Sequence, residues 1–298
     1  MIYLVLRGRI GNQLFMYAYA NSLRTTKDEL IIIDDSKVLK ENWENSLVNY
    51  NLPNVKYVHK PQYFSSFFKL LLLDFYHQKK IFHMDFNEKY EYEIKKSEKY
   101  LKRGYLACEN GYYNFNRCTK DLMIDGYFQS ERYFIDKKNE LLDQLDLNKN
   151  TNLDNYPGID EIREKNSVCI SIKIEHNIGS SLYDVCTKEY WTKAIDYIIN
   201  NVENPLFFIC SDNVEYVKNN LIDCTKYRVI CQDPKSPVYL SLAVMSLCKH
   251  FIIGNTSYGW WAQYMSCNKS KIVIAPSKWM KIDMPIDIYQ DNWIKIDV

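Results

Sequence analysis

From residue 168 onward, short apolar runs alternate with segments of helical periodicity, and this constrains the fold more than any other feature. Apolar runs at 168–174, 206–210, 227–230, 251–253 and 271–274 are separated by helix-like stretches at 187–199, after 212, at 239–248 and through Trp260 and Tyr264. Strands that read as continuous apolar runs, each followed by a helix, belong to a mostly parallel sheet covered on both faces. The N-terminal end opens the same way. Residues 2–6 are apolar, Arg7-Gly8-Arg9-Ile10-Gly11-Asn12 supplies a glycine turn, a helical pattern runs through Leu14, Phe15, Tyr17, Ala18 and Leu23, and Ile31-Ile32-Ile33 reads as a second strand. Strand, glycine turn, helix and strand make the opening unit of a Rossmann-like domain. Residues 36–120 are aromatic and irregular, and their elements cannot be placed from pattern alone. A polar, turn-rich stretch at 148–158 marks a boundary. The expectation is an α/β chain with an N-terminal Rossmann-like domain at 1–150, a second at 151–298, and a cleft between them.

Several function classes fall away. Thirty-eight basic residues balance thirty-seven acidic ones, so there is no basic footprint of a nucleic-acid binder. Nine cysteines are scattered without CxxC or Cys/His spacing, which reads as a reducing cytoplasm with no zinc site and no disulfide framework. The N-terminus lacks the long apolar region and cleavage site of a signal peptide. No apolar run approaches the roughly 20 residues that span a bilayer. Residues 67–76 come nearest, and they read either as a core helix or as a patch that rests on a membrane or a partner. No Asp/Glu/His cluster has metal spacing and no DxD motif occurs, so no metal is expected. A leaving diphosphate would then need helix dipoles and cationic or neutral donors.

Ligand candidates sit where strands end, because open α/β sheets hold ligands beyond their strands' carboxyl ends. Gly8, Arg9, Gly11, Asn12 and Gln13 follow the first strand, with glycines that allow a tight turn and close ligand approach. The spacing is not GxGxxG, and Asp34 and Asp35 fit the acidic ribose position only roughly, so NAD binding has weak support. Lys173 ends an apolar strand and can pair with phosphate as a flexible point charge. Glu175 and His176 follow as acid–base candidates. Ser211 and Asp212 follow another strand, and Asp212 also reads as a helix cap with Glu215 as its capping-box partner. Asn255, Thr256 and Ser257 open a helix directly after a strand, where backbone N–H groups and hydroxyls together favour an anion or simply cap the helix.

These motifs, in this order, resemble the bacterial α-1,2-fucosyltransferases of glycosyltransferase family 11. Residues 8–18 are similar to GGLGNQMFQYA and 126–134 to GYWQSEKYF. Residues 208–213 resemble FIFSDD, 245–261 resemble MSLCKHNIIANSSFSWW, and 272–279 resemble IVIAPKKW. The resemblance implies a GT-B-like fold of two facing Rossmann-like domains, with the acceptor on the N-terminal side and the nucleotide sugar held by the second. It implies inverting, metal-independent transfer of fucose from GDP-fucose to the 2-hydroxyl of a galactoside, with no cofactor. The acceptor would be an oligosaccharide or lipid-linked glycan of O-antigen or capsule synthesis. The enzyme would work in the cytoplasm, peripheral to the inner face of the plasma membrane. The pattern is broken at the donor motif HIRRGD. Ser171 stands for its histidine, Lys173 for the first arginine, Ile174 for the second, Glu175 for the glycine and His176 for the aspartate. Lysine lacks the guanidinium fork that grips phosphate bidentately. Ser241 replaces an acidic position, Gly259 a serine, and Arg9 a glycine. Three accounts fit: GDP-fucose use with compensating cations, a different nucleotide sugar or linkage, or a non-catalytic relative with a binding role.

Overall fold

The computed structural model describes residues 1–62, 65–147, 151, 153–175 and 177–298. The chain divides into two compact units. The first comprises Met1–Leu145 and Met284–Tyr289, the second Asp146–Asp283 and Gln290–Val298. His176 and part of the expected boundary (148–150 and 152) lie outside the described residues.

The first unit carries strands β1 (Ile2–Val5), β2 (Ile31–Asp34), β3 (Val55–Val58), β4 (Tyr105–Ala107) and β5 (Leu122–Asp125). Its helices are α1 (Ile10–Ser22), α2 (Ser36–Lys40), α3 (Ser65–Ile81), α4 (Phe86–Leu101) and α5 (Lys138–Leu145). The strands pair in parallel in the order β3-β2-β1-β5-β4. β1 lies in the middle, with every residue buried, which is why it reads as an unbroken apolar run. The chain walks outward from β1 to β3 and then returns to the other side, so order reverses between β1 and β5.

The second unit repeats the plan. It contains α6 (Ile159–Glu164), β6 (Ser167–Ile172), α7 (Lys188–Asn201), β7 (Leu206–Ser211), α8 (Val214–Asn220) and β8 (Arg228–Cys231). There follow α9 (Val238–Ser246), β9 (His250–Ile253), α10 (Ser257–Met265), β10 (Val273–Pro276) and β11 (Ile294–Ile296). Six parallel strands run β11-β10-β9-β6-β7-β8, and order reverses between β6 and β9. Val168, Ile170, Ile172, Phe207, Ile209, Ile252 and Ile274 form one core with Tyr190, Trp191, Ala194 and Ile198 of α7. Strand β6 stops at Ile172, so Lys173 and Ile174 lie beyond the strand instead of inside it. Two mostly parallel sheets flanked by helices, one in each unit, make a GT-B-like α/β architecture.

Polar side chains tie the connections down. Gln129 Nε2 donates to Asn12 Oδ1 at 2.8 Å. Ser130 Oγ donates to Asp287 Oδ2 at 2.6 Å, and Arg132 lies over the Tyr112 ring. The 126–134 motif therefore braces α1 and holds the returning 284–289 segment within the first unit.

Candidate functional site

In the second unit the sequence candidates converge on the carboxyl edge where strand order reverses, the place such sheets hold ligands. Lys173 leaves β6 there, and Gly254, Asn255 and Thr256 leave β9 beside it. A cavity of about 60 Å³ opens at this point. Its lining includes Lys173, Asn177, Asp184, Lys188, Gly254 and Asn255. That volume holds a few waters or one phosphoryl group. Lys188 is the first residue of α7 and is exposed. In sequence it is an ordinary charged residue in a helical first turn, and only the fold brings it to the cavity that Lys173 also lines.

Thr256 caps α10, its side chain accepting the Gly259 N–H at 3.1 Å. Ser257 opens that helix, so its first-turn dipole points toward the edge. Asn255 is 7% exposed and is a structural knot. Its Nδ2 donates to the carbonyls of Tyr183 and Trp279, and its Oδ1 accepts from Asn177 Nδ2 at 3.1 Å. It thereby holds two loops against the β9 end. Cys186, also at the cavity, keeps its proton: burial pushes the thiol up to about 12.

Asp212 does not cap α8. Asn213 does, accepting from the Tyr216 N–H at 3.0 Å. The Asp212 carboxylate instead accepts the backbone N–H groups of Ile174 at 2.6 Å and Glu175 at 3.2 Å. A charged acceptor across 38 residues of chain outcompetes a local cap because it satisfies two donors at once. The result fixes the loop that carries Lys173. Ser211 is buried, and its Oγ accepts the Asn213 N–H. Glu175 stands exposed in the turn after Lys173, while His176 lies outside the described residues.

Two departures from the family pattern meet in space. Ser171 is buried, and a Cβ built on Gly259 would come 2.8 Å from its Oγ. A side chain at 259 therefore needs a shift at 171.

In the first unit, Gly8 adopts φ +69, and a Cβ there would come 2.7 Å from Asn12 Nδ2, so the turn requires glycine. Gly11 and Gln13 are buried. Gln13 offers no surface to a ligand: its Nε2 donates to the carbonyls of Gly8 and Glu44 and its Oε1 accepts the Ser46 N–H, all at 2.8 Å. Arg9 is exposed, its guanidinium 4.4 Å from the centre of the Trp43 ring. Asn12 is partly exposed and accepts from Gln129. Asp34 accepts from Tyr3 and Ser36, and Asp35 from Asn45, so both acids serve the fold locally.

The reversal point of the first sheet holds a charged network that pattern reading missed. Arg7 follows β1, its Nε 2.9 Å from Asp125 Oδ1 at the end of β5. Lys37 reaches Asp125 at 3.3 Å and Asp74 at 3.8 Å, and Gln78 donates to Asp125 at 2.6 Å. Burial alone would raise the Asp125 carboxyl. Arg7, Lys37 and a hydrogen bond from Asp74 reverse that and hold it far below the usual carboxylate range. Asp74 goes the other way, raised to about 7 by its own burial and by the neighbouring Asp125 charge. The two carboxyls share one proton.

Among the described residues no group of three or more His, Cys, Asp or Glu side chains could hold a metal ion. Residues 1–297 match the family described as Glycosyl transferase family 11. The O-antigen biosynthesis glycosyltransferase WbnK of Escherichia coli is 26% identical over 309 residues, covering 99% of this chain and 100% of that protein. An Escherichia coli alpha-1,2-colitosyltransferase is 28% identical over 186 residues, covering 58% of this chain and 61% of that one. The fold is similar to fucosyltransferase NodZ from Bradyrhizobium, with a TM-score of 0.51 at 11% identity over 95% of this chain and 98% of that one. With the family match running through both units, the chain belongs to glycosyltransferase family 11 and is a glycosyltransferase.

Proposed function

We propose that this enzyme transfers fucose from GDP-fucose to the 2-hydroxyl of a galactoside, with inversion and without a metal, in O-antigen or capsule synthesis. The observation that carries the proposal is the pairing of Lys173 and Lys188 at one cavity beside the N-terminus of α10. Two ammonium groups and a helix dipole can hold the diphosphate where the family pattern has arginines. As the acceptor oxygen attacks the anomeric carbon, the bond to the diphosphate breaks. Negative charge then grows on the leaving oxygen, where prepositioned cations lower the barrier most. Asp212 keeps Lys173 in register through the 174–175 backbone. Glu175, on the same turn, is a base for the acceptor hydroxyl, with His176 the alternative. Arg9 and Asn12, on the first unit, are further candidates for contact with the substrates. The second unit takes the nucleotide sugar. The acceptor is an oligosaccharide or lipid-linked glycan, and the setting is the cytoplasm.

A second reading is favoured by the paired departures at Ser171 and Gly259: a different nucleotide sugar or linkage on the same scaffold. Calorimetric titration with GDP, UDP, CDP and dTDP, with and without manganese, separates the readings. Selective GDP binding that ignores manganese supports fucose transfer. Selective binding of another nucleotide supports the second reading, and no binding of any makes the chain a non-catalytic relative. Lys173→Ala should lower kcat by about 100- to 1000-fold, the scale of one lost transition-state donor, with thermal unfolding unchanged. Unchanged turnover would remove Lys173 from the mechanism.

A further inference from the structure

Helix α3 has two apolar faces, and the fold uses one. Leu70, His77 and Ile81 are buried against the first unit. On the opposite side Phe68, Leu72, Phe75 and Tyr76 are 52%, 43%, 63% and 64% exposed, and Phe82, just past the helix end, is 78% exposed. The spacing i, i+4, i+7, i+8 sets the first four along one stripe. Other large exposed apolar side chains of this unit, such as Leu30, Leu39 and Val48, come from separate elements, as on any protein surface. A run of phenylalanines on one helix is a different case.

Charge identifies what the stripe meets. Lys69, Lys79 and Lys80 are exposed on the same helix, with Lys79 falling inside the stripe and Lys69 and Lys80 along its edge. The helix has one carboxylate, Asp74, which faces Asp125, Lys37 and Tyr105 on the inner side. The exposed face is thus aromatic and basic with no acid. Among the described residues no helix is long and apolar enough to cross a membrane. An amphipathic surface helix with Phe and Leu on one stripe and lysines around it suits the boundary of an anionic bilayer, where the rings enter the acyl edge and the ammonium groups meet headgroups. We infer that the outer face of α3 is a docking surface for anionic lipid membranes. The inference stands on this helix alone and is independent of the donor and acceptor proposed above.

Sedimentation of the full-length protein with vesicles tests it, using phosphatidylglycerol in phosphatidylethanolamine against pure phosphatidylcholine. The wild type should bind the anionic vesicles, less at high salt, and bind phosphatidylcholine weakly. Phe75→Ser with Phe82→Ser should lower partitioning about tenfold or more, and Lys79→Glu with Lys80→Glu should act in the same direction. Thermal unfolding should stay unchanged, since these side chains are exposed. No binding by the wild type, or equal binding by the variants, overturns the inference. Equal binding to both vesicle types removes its anionic part. A wild-type dimer in sedimentation velocity that Phe75→Ser dissociates, without vesicle binding, assigns the face to a second copy of the chain instead.

Discussion

The two sheets reverse strand order in the same way, yet their carboxyl edges are filled differently. In the first unit the reversal point is filled from within: Arg7, Lys37, Asp74, Gln78 and Asp125 lie against one another. In the second, Lys173, Asp184 and Lys188 line a cavity. Asp212 is bound to backbone N–H groups and Asp184 to Lys281 and Gly179. Topology makes such an edge available for ligands in both sheets. What separates them is that ion pairs fill the first edge, whereas a cavity stands at the second.

The sharpest break of this comparison is Asp125→Ala. It leaves Arg7 and Lys37 facing each other without their shared carboxylate and should cost about 3–5 kcal/mol. Urea unfolding checks it, with Lys173→Ala as the contrast that leaves stability nearly untouched. If the two substitutions cost the same, the first edge is not a closed network.

A slightly smaller effect comes from the shared proton. The Asp74 carboxyl titrates at about 7 in the folded protein instead of near 3.8. Between those values the native state holds a proton that the unfolded chain has released. Stability of the first unit should therefore fall as pH rises from about 4 to 7. Asp125 has the opposite sign. Its carboxyl is held far below its ordinary value, so its contribution is present above about pH 4 and is lost on acidification. Denaturant unfolding across pH 4 to 8 would show the decline, and Asp74→Asn should flatten it. A flat wild-type profile would separate the two carboxyls.

The same contrast explains what could be read from sequence. Most central strands are legible because burial on both faces makes them continuous apolar runs, as in β1, β6 and β7, although β5 is not. Three of the four edge strands are not, β8 being the exception. β3 exposes Lys56, β11 exposes Lys295, and β4 is three residues long, so each lacks the run that marks a buried strand. The 36–120 region resists reading because its order comes from long-range polar pairs and aromatic packing, such as His77 stacked on Tyr92, edge-on to Tyr105 and bound to Glu93. Site residues followed the same division. Lys173 and Thr256 were legible from the strand before each. Lys188, Arg7 and Asp125 were not, because their partners are set by folding and not by spacing. Gln13 and Asn255 belong to recognisable motifs, yet each has its amide committed to backbone groups of the fold. A motif records that a residue type is needed and says nothing of whether it serves a ligand or a loop.

Asp212 and Asn213 allow the finest test, since neighbouring residues have divided two jobs that local pattern assigned to one. Asn213→Ala removes the α8 cap and should cost about 1 kcal/mol of stability, leaving nucleotide affinity as it was. Asp212→Ala frees the Ile174 and Glu175 N–H groups and unties the loop behind Lys173. It should weaken nucleotide binding by about 1–2 kcal/mol, five- to thirtyfold in Kd, the worth of hydrogen bonds to a charged group. Asp212→Asn keeps an acceptor and should recover part of that loss. Calorimetry on the three variants separates a helix cap from a loop anchor. If Asn213→Ala weakens nucleotide binding as much as Asp212→Ala does, the two residues act together and the second edge is positioned by α8 rather than by one carboxylate.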